Sequence, residues 1–362
     1  MHTDVAPSER FASLGLAALR PVAPRRKGGL TVFPLVADVS EPLPYELLLD
    51  ALAAGTVRIG EVGTGTVPSL LAHNRGASDV LILDGEQLVG ARQNRLTNRS
   101  LLLAAGTKTE IPVSCMEQGR WHFTTDAFAP APKARHAPAE VRRHAREAEA
   151  DAAASAGRVG RDAAARAQGA VWNQIHDYSA KLGARSETGA MDDAYARRDA
   201  DIESWLTAFP LEPNQVGLLA FLHGAPLGLD AIGCPDLFGR LHERILGGYV
   251  IDGLAAGAEP DASREKPETT PDEADALRFL AAVAAAGRAP SDTPGKGAFR
   301  VLTGAAIGGE LVDDAFGDPR IVHLSAFPAG RNRVDVRPTG PRGEVSPLAP
   351  PSRRREGKRR IE

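Results

Sequence analysis

The chain has 362 residues, 43% of them hydrophobic and 25% charged, with a formal net charge of −3; this is close to the soluble globular average and long enough for two ordinary domains or one large one. Two cysteines, Cys115 and Cys234, exclude a disulfide framework and leave at most one bridge. No run reaches the roughly 18 apolar residues of a membrane helix, and the first residues lack the apolar stretch of a signal peptide, so a cytoplasmic protein with no membrane partner is expected.

Residues 1–29 read as a weakly ordered lead-in, and LTVFPLV (30–36) as the first strand, from its β-branched and apolar content. PYELLLDALAAG (44–55) has leucines on one face and ends in glycine, which predicts a short helix with Gly55 at its C′ position. Strand-like runs follow at VRIGEV (57–62), VPSLLAHN (67–74), DVLILDG (79–85), SLLLAAG (100–106) and TEIPVSC (109–115), separated by turn residues, as in an antiparallel sheet or sandwich.

Composition changes at about Phe128. Residues 129–160 are rich in Ala, Pro, Arg and Glu with almost no large apolar side chain, which predicts an exposed, partly helical insertion. Beyond it, Ala167, Val171, Ile175, Tyr178 and Leu182 form a helical stripe, and Tyr195, Ile202, Trp205, Leu206 and Phe209 form a second. The intervening RSETGAMDDAY (185–195) reads as a capped interhelical loop, with Thr188 or Asp192 as N-cap.

VGLLAFLHG and PLGLDAIG (216–224 and 226–233) predict a hairpin turning at Gly224 to Pro226, and residues 234–257 a helix burying Phe238, Leu241, Ile245 and Tyr249. Thr270, Pro271 and Glu273 read as N-cap, N1 and N3 of a helix running to Gly287. Strands at 299–314 and 319–327 complete the order. The expected fold class is α+β. An antiparallel, β-rich N-terminal half (30–128) is followed by the insertion (129–160), then by a helical middle and a C-terminal α+β half (161–330) with two hairpins flanking helices. Residues 331–362 form a basic, disordered tail, whose ten Arg or Lys against four Asp or Glu leave a balance of −9 for residues 1–330.

Two polar, charge-dense segments sit where apolar strands end: DGEQLVGARQNR (Asp84 to Arg95) and CMEQGRW (Cys115 to Trp121). Arginine forks bind phosphate or carboxylate, amides read base or ribose edges, and glycines let a backbone approach a ligand. The candidate ligand-binding residues are therefore Arg92, Gln93, Asn94, Arg95, Gln118 and Arg120, and the candidate general acids or bases are Glu86 and Glu117. The competing reading is a hairpin turn at Asp84 and Gly85 whose arginines pair internally with Glu86 and Glu117.

Other chemistry is thinly represented. Cys115 and His122 could form a thiolate and base, but lie seven apart on a strand and face opposite ways, so Cys115 reads as a small buried hydrophobe. Asp84, Glu86, Glu117 and His122 are ligand types that suit Mg²⁺ or Mn²⁺, without a diagnostic spacing, so no metal residue is assigned. GEVGTGTVP (60–68) and PSDTPGKG (290–297) both depart from phosphate-loop patterns. Trp172 reads as core, and the tail sequence SRRREGKRR (352–360) as an accessory contact for nucleic acid or an acidic partner, with no aromatics to stack on bases.

LDGEQLVGARQNR, IPVSCMEQGRW, VWNQIHDYSAKLGARSETGAMDDAY, GLDAIGCPDLFGRL and VHLSAF, in this order, resemble the ARG and rhodanese-phosphatase-superfamily-associated domain, a bacterial family of unknown function, over about residues 27–328. The family name reflects an association with ADP-ribosylglycohydrolase and rhodanese-phosphatase proteins. The resemblance thus implies a stress or conflict pathway involving NAD-derived nucleotides, and it carries over no catalytic residue. The expected function is a ligand-binding or sensor module for an anionic, nucleotide-derived ligand. The alternatives are a hydrolase or transferase with Glu86 or Glu117 as acid or base, and a protein-interaction module; no cofactor is specified.

Overall fold

The computed structural model describes residues 15–39, 41–63, 69–120, 122–132, 135–154, 160–258, 269–314 and 319–330. Trp121, most of the 60–68 loop, the linker and the basic tail lie outside them. The chain begins with β1 (Arg20–Pro21), β2 (Arg25–Lys27), β3 (Leu30–Val36), β4 (Glu46–Leu47) and α1 (Leu48–Ala53). It continues through β5 (Val57–Glu61), β6 (Ser69–Asn74), β7 (Val80–Ile82), β8 (Gln87–Gly90), β9 (Arg95–Thr97), β10 (Leu101–Leu103), β11 (Lys108–Cys115) and β12 (Phe128–Pro130). Three helices follow, α2 (Ala139–Ala154), α3 (Gly160–Lys181) and α4 (Met191–Leu206). The last elements are β13 (Gln215–Leu222), β14 (Ala225–Ile232), α5 (Pro235–Gly257), α6 (Glu273–Ala285), β15 (Gly287–Ser291), β16 (Ala298–Thr303), β17 (Ala306–Asp313) and β18 (Arg320–Pro328). The α+β class and the antiparallel N-terminal strands are as the sequence predicts.

A nine-stranded antiparallel sheet runs in the order β1-β3-β13-β14-β18-β17-β16-β15, with β2 also on β3. β3 therefore joins the first half of the chain to the strands of the second. Both faces of this sheet are covered, which is why its strands read as continuous apolar runs. Phe33 and Leu35 pack into a core with Phe279, Leu280 and Val283 of α6, whereas Leu30 and Val32 face a second core built with α3, α4 and α5. The β13–β14 hairpin turns on His223 and Gly224, both at positive φ (49° and 81°), the requirement of a two-residue type I′ turn. That places the turn before Pro226, which lies within β14. Gly224 is also obligatory for space, because a Cβ would lie 2.4 Å from the Thr269 carbonyl oxygen.

The remaining strands form a six-stranded sheet, β12-β8-β9-β11-β6-β5, and a three-stranded one, β10-β7-β4. The end strands β12 and β5 approach each other and α1 touches both, so the larger sheet curls around an apolar interior of Val57, Ile59, Leu70, Leu88, Ile111, Val113 and Phe128. All described elements belong to one compact unit ending at Ala329.

Two local readings need correction. The cap of α6 is Asp272, whose side chain accepts from the Asp275 backbone N–H while the Asp275 carboxylate accepts from that of Asp272; the capping box sits two residues beyond the predicted Thr270, because Asp272 and Asp275 supply the reciprocal pair. The N-cap of α4 is Ala190, without a side-chain cap bond; Ser186 Oγ instead accepts from the Ala190 N–H at 2.8 Å.

Candidate functional site

The structure brings the two polar segments together as neighbouring chain in one sheet. β9 pairs with β11 with Arg95 opposite Cys115, and beyond the last rung the Met116 N–H donates to the Asn94 carbonyl at 2.9 Å. Glu117 Oε2 then accepts from the Asn94 N–H at 3.1 Å. Strand pairing thus continues into side-chain pairing.

Arg120 closes this junction. Its Nε donates to both oxygens of Glu117, at 2.9 and 3.0 Å. Its Nη1 reaches the Ala91 carbonyl and Thr124 Oγ1, at 2.7 and 3.0 Å, and its Nη2 reaches Asn94 Oδ1 and Glu117 Oε2, at 3.1 and 2.7 Å. Burial works against the Glu117 carboxylate, but hydrogen bonds from Arg120, Thr188 and the Asn94 backbone outweigh it and lower its pKa. Glu117 is thereby held as a carboxylate clasp. Glu86 is likewise engaged, its Oε2 accepting from Nε of Arg244 on α5 at 2.8 Å, with Nη2 in ion-pair contact at 2.6 Å.

Asp84 leads into a buried charge cluster that spans the molecule. Arg142 of α2 donates from Nη1 and Nη2 to the two oxygens of Asp230 on β14, at 2.9 and 2.6 Å, and from Nε to Asp84 Oδ1 at 2.6 Å. Asp84 Oδ2 also accepts from Arg146 and Ser325, at 2.9 and 2.8 Å, and Asp230 Oδ2 accepts from Tyr249 at 2.6 Å. Arg142 lies over Phe327 and Arg146 over Phe299, at 5.1 and 5.3 Å from the ring centroids. Burial opposes ionisation of both carboxylates, yet Arg142 in particular holds each well below the usual range. The 129–160 segment therefore differs from the exposed insertion that its composition predicts. Its Arg135, Arg142, Arg143 and Arg146 are buried, because each is paired with a carboxylate that compensates its charge.

Within this cluster Ser100 Oγ lies 2.6 Å from His323 Nδ1, and His323 Nε2 lies 3.1 Å from Asp230 Oδ1. The connectivity is that of a serine–histidine–aspartate relay. All three are at most 1% exposed, however, and Ser100 Oγ accepts from the Asp84 N–H at 2.8 Å. Ser100 Oγ is thus already committed to two internal bonds, and this chain of bonds fixes the histidine tautomer and links the segments around β7, β10, β14 and β18. Two further buried groups line α2. His136 is held neutral, its pKa lowered well below 6.5 by burial and by Arg142. Asp252 of α5 accepts from the Ala139 N–H at 2.8 Å and from the Tyr178 hydroxyl, capping the first turn of α2; burial, then Glu140, raises its pKa to about 7.

Asn94 and Gln93 are also used internally: Asn94 Oδ1 accepts from the Gly90 N–H, and Gln93 accepts from Arg95 and donates to the Gln118 carbonyl. Arg92 and Gln118 are the two candidate binding residues left open to solvent. Arg92 is half-buried, makes no hydrogen bond or ion pair among the described residues, and lies 4.6 Å from the ring centroid of Phe123, which is 52% exposed. Gln118 lines a cleft of about 440 Å³ with Gly119, His176, Ser186 and Thr188. The 185–195 loop is thus both an interhelical connection and one wall of that cleft, its Thr188 carbonyl accepting from the Gln118 and Gly119 N–H groups.

Cys115 is buried, with its thiol pKa raised chiefly by burial, while His122 is exposed, so the two form no nucleophile and base. Asp84, Glu86, Glu117 and His122 are dispersed over separate partners, and among the described residues no group of three or more His, Cys, Asp or Glu could hold a metal. Trp172 packs against the core.

Sequence reasoning missed Arg142, Asp230, His323, Ser325 and Arg244. The signals were present: Asp230 is a lone charge inside the apolar run PLGLDAIG, and His323 and Ser325 share one face of IVHLSAF at spacing two. Arg142 and Arg146 are spaced i, i+4 on one helix face.

No helix among the described residues is long and apolar enough to cross a membrane. No curated protein and no solved structure shows significant similarity to the chain. The family model for the ARG and rhodanese-phosphatase-superfamily-associated protein domain matches residues 18–327, enclosing both polar segments and every residue of the buried charge cluster. The chain belongs to that family.

Proposed function

We propose that the chain is a cytoplasmic ligand-binding or sensor module for an anionic, nucleotide-derived ligand in a bacterial stress or conflict pathway, rather than an enzyme. The observation that carries this reading is Arg92: a guanidinium resting on a half-exposed phenylalanine, without a carboxylate partner among the described residues. A free arginine fork beside an aromatic face suits a phosphate next to a stacking base. Gln118 and the cleft it lines with His176, Ser186 and Thr188 add amide, imidazole and hydroxyl groups for the polar remainder of such a ligand.

The enzyme reading is the weaker one because its two acid or base candidates are bound to arginine: Glu86 to Arg244 and Glu117 to Arg120. A carboxylate already bonded to a buried guanidinium has fewer lone pairs left for a substrate proton. Thermal shift with NAD, ADP-ribose and ADP tests the proposal. The melting temperature rises with at least one of them and no product accumulates; turnover that is lost in Glu86→Gln or Glu117→Gln returns the protein to the enzyme class.

A further inference from the structure

Four arginine–carboxylate clusters lie along the polar segments, around Arg142, Arg120, Arg244 and Arg95, and the last is the loosest. Around Arg142 and around Arg120 the carboxylate oxygens and guanidinium nitrogens are bonded, several of them twice. The pair of Glu61 with Arg95 is not closed by hydrogen bonds. Arg95 Nη2 stands 3.6 Å from Glu61 Oε1, with the side chains 1% and 6% exposed. Both oxygens of Glu61 and Nε of Arg95 are buried without a hydrogen-bond partner among the described residues.

The position of this cluster follows from strand alternation. Val57 and Ile59 of β5, and Ile111 and Val113 of β11, point into the interior of the curled sheet, so Glu61 and Cys115, two residues further along each strand, point the same way. Arg95 joins them because it pairs with Cys115, and its Nη1 donates to Gln93 Oε1 and to the Cys115 sulfur, at 2.9 and 3.3 Å. The apolar interior therefore ends in a buried polar cluster. From there a hydrogen-bond chain runs through Gln93 to the Gln118 carbonyl, at the cleft described above.

Stability does not explain this cluster. A buried ion pair offsets its desolvation only where geometry is close and the remaining lone pairs and protons are satisfied. Here the contact is long and three groups are unsatisfied. Such groups mark a place where something else completes the bonding.

We propose that Glu61 and Arg95 form a subsite for a vicinal diol, of the kind a nucleotide ribose presents. Two hydroxyls donate to Oε1 and Oε2 of Glu61, and one of their oxygens accepts from Arg95 Nε. Carboxylates recognise ribose hydroxyls in dinucleotide sites by the same chemistry. The inference rests on the nucleotide reading and extends it: Arg92 takes the anionic part of the ligand, and Glu61 takes the sugar.

Calorimetric titration of the full chain with ADP and with 2′,3′-dideoxy-ADP tests the subsite. The wild-type protein binds ADP about ten- to a hundredfold more tightly, the worth of hydrogen bonds to a charged group. Glu61→Gln removes that difference and leaves the dideoxy affinity unchanged. Equal affinity of the wild-type protein for the two ligands overturns the subsite alone, and that comparison needs no variant to fold. Failure of both to bind overturns the Arg92 reading and the subsite with it.

Discussion

Arg142 meets Asp230 through two parallel hydrogen bonds, Nη1 to Oδ2 at 2.9 Å and Nη2 to Oδ1 at 2.6 Å, while its Nε holds Asp84. One guanidinium on α2 thus compensates two buried carboxylates, one from the turn after β7 and one from β14. Removing it leaves both without their main counter-charge, and breaking a buried pair in this way costs about 3–5 kcal/mol. Arg142→Met should lower the midpoint of chemical denaturation by that order, and Arg142→Met with Asp230→Asn should lose less than Arg142→Met alone. A double variant less stable than Arg142→Met would show that the charges are not coupled.

Arg120 and Arg92 should separate by function although both lie at the same junction. Arg120 bonds with all three of its nitrogens, so Arg120→Ala strands the buried Glu117 and should cost about 3 kcal/mol or more. Arg120→Lys should recover little, since an ammonium cannot reproduce the fork. Arg92→Ala should change stability by less than about 0.5 kcal/mol, as a surface substitution away from buried networks. Urea titrations of the three variants check this ordering; a large loss in Arg92→Ala would make that arginine structural.

The order of elements was legible because local pattern and tertiary role agree. β3 occupies the predicted 30–36, and Val171, Ile175, Tyr178 and Leu182 are buried as their spacing implies. The α6 cap was misplaced by two residues because Thr270 and Glu273 offer the same signature as Asp272 and Asp275. The buried charges were the illegible part. Nothing local distinguishes Arg142 from a solvated arginine, since its partners Asp84 and Asp230 lie 58 and 88 residues away. In the predicted site, the same arginine and amide types serve as internal clasps at Arg120 and Asn94 and as open groups at Arg92 and Gln118, and only their partners tell the two apart.

Asp252 should give the stability a characteristic pH dependence. Its pKa is raised from 3.8 to about 7 in the folded protein, so the folded state holds a proton that the unfolded chain releases. Its contribution is fully present below about pH 4 and is lost as pH rises toward 7. His136 acts in the opposite sense: its lowered pKa makes its contribution present above 6.5 and lost as pH falls. Asp252→Asn isolates the first effect. The melting temperature of this variant relative to the wild-type protein should rise between pH 5 and 8; a difference that stays constant with pH would contradict the raised pKa.

Cys115 and Cys234 are free and buried, and burial raises the Cys115 pKa further. Both should react with a thiol reagent only as fast as the protein opens, so labelling should accelerate sharply in denaturant. Prompt labelling of Cys234 in the native protein would contradict this burial.

The proposed function turns on the open Arg92 rather than on the clasped carboxylates. Thermal shift with ADP-ribose on the wild-type protein, Arg92→Ala and Glu117→Gln tests it most directly. The wild-type melting temperature should rise, Arg92→Ala should abolish the rise, and Glu117→Gln should show a rise of similar size on its own baseline. An undiminished rise in Arg92→Ala would contradict it.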